Sequence, residues 1–184
     1  LVRFANGQPA FDPWRVIEVP GVGAKGVRVG VFGLMPESSE LGPARDSLRI
    51  TSAEEAASRC IRELRAQGAN VIVLLSQLGM AAGDSVAAHV PGIDLLVGGG
   101  GVPVLPSGTA IGNGHGVALY GGVQGWQVGV ADVRFDTRNR VREIEARTIV
   151  LGPDVRIQPA MAANVQVFED SLNAHLRARN AAFG

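Results

Sequence analysis

Residues 70–79 read NVIVLLSQLG. Asn70 to Leu75 form a continuous apolar run with no alternation, the mark of a strand buried on both faces. Working outward, residues 27–34 (VRVGVFGL) and 93–97 (IDLLV) have the same character. Between the first two runs lies a helical pattern. Ala53, Ala56, Ala57, Cys60, Ile61 and Leu64 recur at helical spacing, and Glu54, Glu55, Arg59, Arg62, Glu63 and Arg65 face outward. Thr51 or Ser52 caps its start, Ser52 and Glu55 fit a capping box, and Gly68 stops it. Strand, helix, strand is a βαβ unit, so the two strands should be parallel with a right-handed crossover. The fold class is therefore α/β.

A short helix over residues 81–89 and a Pro91-Gly92 turn lead to the third run. Four glycines follow it, Gly98, Gly99, Gly100 and Gly101. Short strands are then expected near residues 117–120, 127–135 and 141–151. Residues 112–116 (GNGHG) read as a hairpin tip, and residues 136–140 (DTRNR) as a polar hairpin turn. The last strand mixes Val141, Ile144, Ala146 and Ile149 with charged residues and belongs at or near an edge. Residues 161–179 read as an amphipathic helix with Val165, Phe168, Leu172 and Leu176 on its apolar stripe. The division expected is an α/β domain over residues 1–152 and a linker with a helix over 153–184.

Composition narrows the function classes. With 184 residues, 46 % of them hydrophobic, the chain is long enough to bury a real core. Lys plus Arg and Asp plus Glu number 17 each, so there is no net charge to attract nucleic acid or anionic lipid over a distance. No apolar run is long enough for a membrane-spanning helix. The single cysteine, Cys60, cannot form an internal disulfide. The sequence opens at Leu1 without a charged-then-apolar leader, which suggests a processed protein or a fragment.

Few motifs carry chemistry. Gly21, Gly23 and Gly26 match GxGxxG by letters, but a strand follows rather than a helix, so a hairpin turn is the better reading than a dinucleotide site. Gly98, Gly99, Gly100 and Gly101 sit at the carboxyl end of a buried strand, where ligands bind in open α/β sheets. Their N–H groups can face an anion, and a flexible connection is the alternative. Ser76 and Gln77 leave a neighbouring strand at the same rim, either as site residues or as a strand-end turn. His89, His115 and His175 lack ligand-spaced partners and read as surface histidines. Cys60 lies on the buried face of its helix and reads as core. There is no CxxCH haem motif.

Taken in order, these segments resemble the calcineurin-like metallophosphoesterases of the 5′-nucleotidase type. The resemblance covers residues 4–136. It rests on Asn6, Phe11-Asp12-Pro13, VGVFGL at 29–34 with Pro36, the helix from Glu54-Glu55-Ala56-Ala57 to LRAQGAN at 64–70, VIVLLSQLG at 71–79, VPGIDLLVGGGGV at 90–102, and GWQVGVAD at 125–132. It implies a layered β-sandwich flanked by helices, of which this chain would be the C-terminal half with an extra C-terminal helix. Family members use two divalent metals such as Zn, Mn or Fe. The family's "SHLG" and "GGHSH" histidines are metal ligands, and here those positions hold Gln77, Gly100 and Val102. Glycine and valine offer no donor, and glutamine offers only a neutral carbonyl. The family's earlier metal-binding motifs would precede Leu1.

The replaced ligands lead to an expectation of no catalytic residues, no bound metal and no cofactor. The first reading is an inactive metallophosphoesterase-like module of a larger protein or complex, with another domain or chain supplying the N-terminal half of the fold. The alternatives are an active phosphoesterase using ligands outside this chain, and a metal-free phosphate or nucleotide binder using Ser76, Gln77, Gly98, Gly99, Gly100 and Gly101. The resemblance implies a periplasmic or extracellular location.

Overall fold

A computed structural model describes residues 2–4, 6–20, 26–39, 41–99, 105, 107–121 and 125–181. In chain order the elements are β1 (Val2–Phe4), β2 (Trp14–Val19), β3 (Val27–Leu34), β4 (Leu48–Ile50), α1 (Ala53–Ala66), β5 (Val71–Ser76), α2 (Met80–His89), β6 (Leu95–Gly98), β7 (Thr109–Ile111), β8 (Gly116–Tyr120), β9 (Gln127–Phe135), β10 (Val141–Val150) and α3 (Pro159–Ala181). Single 3₁₀ turns precede β4 and β8. The chain divides into two units, Leu1–Val150 and Leu151–Gly184. The second unit contains α3. No helix among the described residues is long and apolar enough to cross a membrane.

The three apolar runs are the centre of a six-stranded sheet ordered β2-β3-β5-β6-β8-β7. β3, β5, β6 and β8 are parallel, and the two edge strands, β2 and β7, are antiparallel. Parallel strands demand crossovers; α1 supplies the one from β3 to β5 and α2 the one from β5 to β6, while the chain reaches β8 from β6 by way of β7. β1 and β4 form a separate antiparallel pair, as do β9 and β10. Both expected hairpins are present: Ile111 pairs with Gly116 across residues 112–115, and Val141 with Phe135 across 136–140. Val19 pairs with Val27, so antiparallel strands flank the GxGxxG segment, most of which (residues 21–25) lies outside the described residues.

One face of the sheet takes the helices. Phe32 and Leu34 of β3, Ile72 and Leu74 of β5, Leu96 of β6 and Tyr120 of β8 are buried against Ala56, Cys60, Leu64 and Val86. Truncating a fully buried leucine such as Leu64 or Leu74 should cost about 2–5 kcal/mol. Gly30 is required here, because a β-carbon would stand 3.0 Å from Leu64 and Ala69. α1 ends as expected: Gly68 has φ +78, its N–H meets Arg65 O, and Ala69 N–H meets Leu64 O. Its start differs from the expected capping box. Ser52 is the N-cap, but its side chain makes no capping bond. Two of the residues expected to face outward turn inward as well. Glu63 accepts a hydrogen bond from the Trp14 indole, and Arg59 buries one guanidinium nitrogen with no partner among the described residues.

The other face is only partly covered. The β9–β10 hairpin lies over β8, where Gly129 sits so close to Leu119 that a β-carbon would be 2.6 Å from it. Gly108 N–H bonds Ala146 O, and Thr148 Oγ1 donates to Leu105 O. The hairpin turn reaches the amino end of β3 through Asn139 Nδ2, which donates to Gly26 O at 3.0 Å. On this face Val27, Val71, Leu95 and Leu119 are buried. Toward β2 and the carboxyl ends of β3 and β5 the cover stops. Leu75 is 49 % exposed and Ile17 is 48 % exposed, with Val19 also exposed.

Candidate functional site

The parallel strands β3, β5, β6 and β8 all end at one rim, and the residues singled out from the sequence lie there. β5 alternates, so Ile72, Leu74 and Ser76 point to the helices. Ser76 is accordingly buried, and its hydroxyl accepts the Leu78 N–H at 3.3 Å. Gln77 is exposed; its N–H bonds Leu34 O at 2.9 Å, which ties β5 to β3 at the rim. Gly99 N–H bonds Ser76 O at 2.8 Å, so β5 and β6 leave the sheet together. Gln77 Oε1 lies over Gly99, 3.2 Å from where a β-carbon would stand. Ser76, Gln77, Gly98 and Gly99 are thus neighbours. Gly100, Gly101 and Val102 lie outside the described residues.

Beneath them is a group that the sequence pattern does not single out. Tyr120, the chain's one tyrosine, is buried at the end of β8, and its hydroxyl donates to Asp84 Oδ1 of α2 at 2.7 Å. Burial, and then the Asp84 carboxylate, hold the Tyr120 hydroxyl well above its usual range of ionisation. The ring fills the space that a side chain on Gly98 would need, with a β-carbon there only 2.2 Å from it. Gly98 is therefore a packing glycine. The one sequence signal for this group is a lone Tyr ending an apolar strand.

A cleft of about 290 Å³ opens beside this rim, lined by Phe11, Asp12, Pro13, Met35 and Leu75 among others. Its walls are mostly apolar, and Asp12 is its one acid among the described residues. His89 and His115 are exposed; His89 Nδ1 lies 3.0 Å from Glu54 Oε1, and His115 sits in the turn before β8, at the opposite rim. His175 is exposed on α3. Cys60 is fully buried, its Sγ 3.6 Å from Pro13 O, and burial pushes its thiol up to about 11.

Among the described residues no group of three His, Cys, Asp or Glu could hold a metal ion. The donor chemistry at the resembled ligand positions does not fit a two-metal centre. Gln77 presents an amide, and the glycine and valine at 100 and 102 carry no side-chain donor. What the described part of the rim offers is one exposed amide side chain beside an apolar cleft, since the N–H groups of Gln77, Leu78 and Gly99 are already bonded. Among the described residues the rim holds no nucleophile paired with a base.

No protein-family model matches the chain. A curated relative, the 2′,3′-cyclic-nucleotide 2′-phosphodiesterase/3′-nucleotidase of Yersinia enterocolitica, is 28 % identical over 123 residues, which is 58 % of this chain and 19 % of that protein. The chain therefore spans about a fifth of the curated relative it matches. A solved 5′-nucleotidase precursor from Thermus thermophilus aligns with TM-score 0.73 at 24 % identity, over 89 % of this chain and 35 % of that one. The calcineurin-like phosphoesterase YfkN of Bacillus subtilis aligns with TM-score 0.79 at 17 % identity, over 96 % and 62 %. The sulfate thiohydrolase SoxB of Thermus aligns with TM-score 0.79 at 21 % identity, over 94 % and 31 %. The chain has the fold of the calcineurin-like metallophosphoesterases of the 5′-nucleotidase type, present in part of its extent.

Proposed function

We propose that this chain is a non-catalytic phosphoesterase-like module that completes a larger protein or complex. The half-covered second face of the sheet is the observation that carries this reading. The β9–β10 hairpin covers β8 and the amino ends of the strands, while Ile17, Val19 and Leu75 stay exposed. A sheet with one packed face needs a second layer over its other apolar face. A further β-layer of the same fold, from another domain or chain supplying the N-terminal half, is the proposed occupant. The partial coverage of the matched proteins supports it. The proposed location, by the same resemblance, is periplasmic or extracellular.

The loss of catalysis is proposed on donor chemistry. Phosphoester hydrolysis by two metals needs them to generate a hydroxide and to clamp the transition state, and Gln77, Gly100 and Val102 supply no imidazole. The test is metal loading of the intact chain with Mn²⁺ or Zn²⁺, read by mass spectrometry and by hydrolysis of p-nitrophenyl phosphate. No stoichiometric metal and no metal-dependent turnover are expected. One or two tightly held ions with turnover would establish the alternative, an active phosphoesterase resembling its curated relative.

A further inference from the structure

The β9–β10 hairpin has one edge held and one edge free. Gly108 N–H donates to Ala146 O at 2.8 Å, and Ser107 bridges Arg147, so the outer edge of β10 is tied to the segment before β7. Residues facing each other in an antiparallel pair alternate between exchanging both backbone bonds and exchanging none. The Ala146 carbonyl is spent away from β9, so Ala146 and its partner Ala131 are a pair of the second kind. The N–H and C=O of Ala131 therefore point off the hairpin on its other side, as do those of Gly129 and Val133 to either side of it. Among the described residues no hydrogen bond meets them. From this edge we infer that a β-strand of the missing layer pairs with β9 through Gly129, Ala131 and Val133, widening the hairpin into a larger sheet. The inference rests on the second layer proposed above and names where that layer attaches.

The free edge faces the uncovered part of the central sheet. Ala146 and Val117 both press on Gly108, whereas Gly129 lies on Leu119, further toward the carboxyl end of β8. β9 is thus the strand on the carboxyl side, and on that side Leu75 is exposed. Val73 precedes Leu75 by one period, Val97 pairs with Leu75 and Val31 with Val73, so all three share its face, and each is half-buried. A strand bonded to β9 would run over these residues, at the usual spacing of stacked sheets, about 10 Å. One occupant then satisfies both the open backbone groups and the exposed apolar face.

β9 carries none of the devices that protect an edge. Residues 127–135 read QVGVADVRF, with no proline and no lysine. Because Gly129 faces Leu119, Ala131 and Val133 face the sheet too, and the charged Asp132 and Arg134 face away. Both are already paired, Asp132 with Arg147, and Arg134 with Glu143 and Glu145. No charge of β9 therefore points inward over the open face. The incoming strand should alternate, with apolar side chains toward Val31, Val73 and Val97 and polar ones outward.

The test is hydrogen exchange of the β9 amides, measured in the chain alone and in the intact assembly purified from its source, with carbene labelling of Ile17 and Leu75 in parallel. In the chain alone, Gly129, Ala131 and Val133 should exchange fast, and Val130 and Asp132, bonded to β10, slowly. In the assembly the first three should slow at least about tenfold. If they stay fast while Ile17 and Leu75 become shielded, the inference falls and the second layer stands. If they stay fast and both side chains are still labelled, both fall. Slow exchange of the three in the chain alone would mean that the edge is already occupied, and would also overturn the inference. Ala131→Pro removes a donor that only the added strand would use. It should release the chain from the assembly and shift the chain's own Tm by no more than about 4 °C, whereas Val130→Pro should lower that Tm further. A folded Ala131→Pro chain that still assembles would overturn the inference. The exchange comparison uses the unaltered chain and decides the question however the proline variants fold.

Discussion

The ring of Tyr120 occupies the place of a Gly98 side chain: a β-carbon on Gly98 would stand 2.2 Å from Cε1 and 2.3 Å from Cδ1. The two residues pair across β6 and β8. The path of the chain as it leaves the sheet at this rim is thus set by an aromatic side chain from the neighbouring strand.

Gly98→Ala should therefore destabilise the fold by about 1–3 kcal/mol, the usual cost of overpacking. Combining it with Tyr120→Leu should recover part of that loss, with a coupling of at least about 0.5 kcal/mol. Urea unfolding of the two single variants and the double variant gives the coupling. Strict additivity would mean that the ring moves aside freely.

Stability should fall with rising pH above about 9. The Cys60 thiol is raised from 9.0 to about 11 by burial. In that window the unfolded chain releases a proton that the folded chain retains, so folding weakens as pH rises. The shift is worth on the order of 2–3 kcal/mol once pH passes the folded value. Cys60→Ala should flatten the profile between those limits. Tyr120, also raised, should extend the decline to higher pH, and Tyr120→Phe should remove that part.

Asp94 joins the starts of β5 and β6 through the Ile72 amide and Arg65. Asp94→Ala strands a buried N–H and should cost about 1–3 kcal/mol, while Asp94→Asn keeps an acceptor and should cost less. Burial raises the Asp94 carboxyl above its ordinary value, despite the opposing pull of Ile72 N–H and Arg65. A raised acid favours folding while protonated. The margin of wild type over Asp94→Asn should therefore shrink as pH climbs through the carboxylate range, as thermal melts of both would record.

On the open face, Leu75→Glu and Ile17→Lys should change the stability of the isolated chain by no more than about 0.5 kcal/mol, as befits exposed positions. Both should reduce binding of a hydrophobic dye. A large loss of stability from either would mean that this face is covered within the chain itself, and the proposed second layer would lose its support.

The parallel sheet is plain in the sequence because strands buried on both faces leave continuous apolar runs, and three of them flank helices with clear ends. Hairpins at residues 112–116 and 136–140 were legible because glycine, asparagine and aspartate mark tight turns. The edge strand β2 and the small β1–β4 pair were not, since short half-exposed segments such as VRF and LRI have too little pattern to stand out. Ser76 shows what reading its polarity alone leaves out: period-two spacing from Ile72 and Leu74 puts it on the helix side, where its hydroxyl serves the following turn.

The bond from Asn139 to Gly26 spans 113 residues of sequence. The β9–β10 hairpin can zip up on its own within microseconds, since its strands are neighbours in the chain. The tether cannot form until β3 has found its place in a sheet whose parallel pairings each close a long loop. The Asn139–Gly26 bond thus closes a loop of 113 residues, and its formation during refolding would mark the moment when the hairpin layer docks.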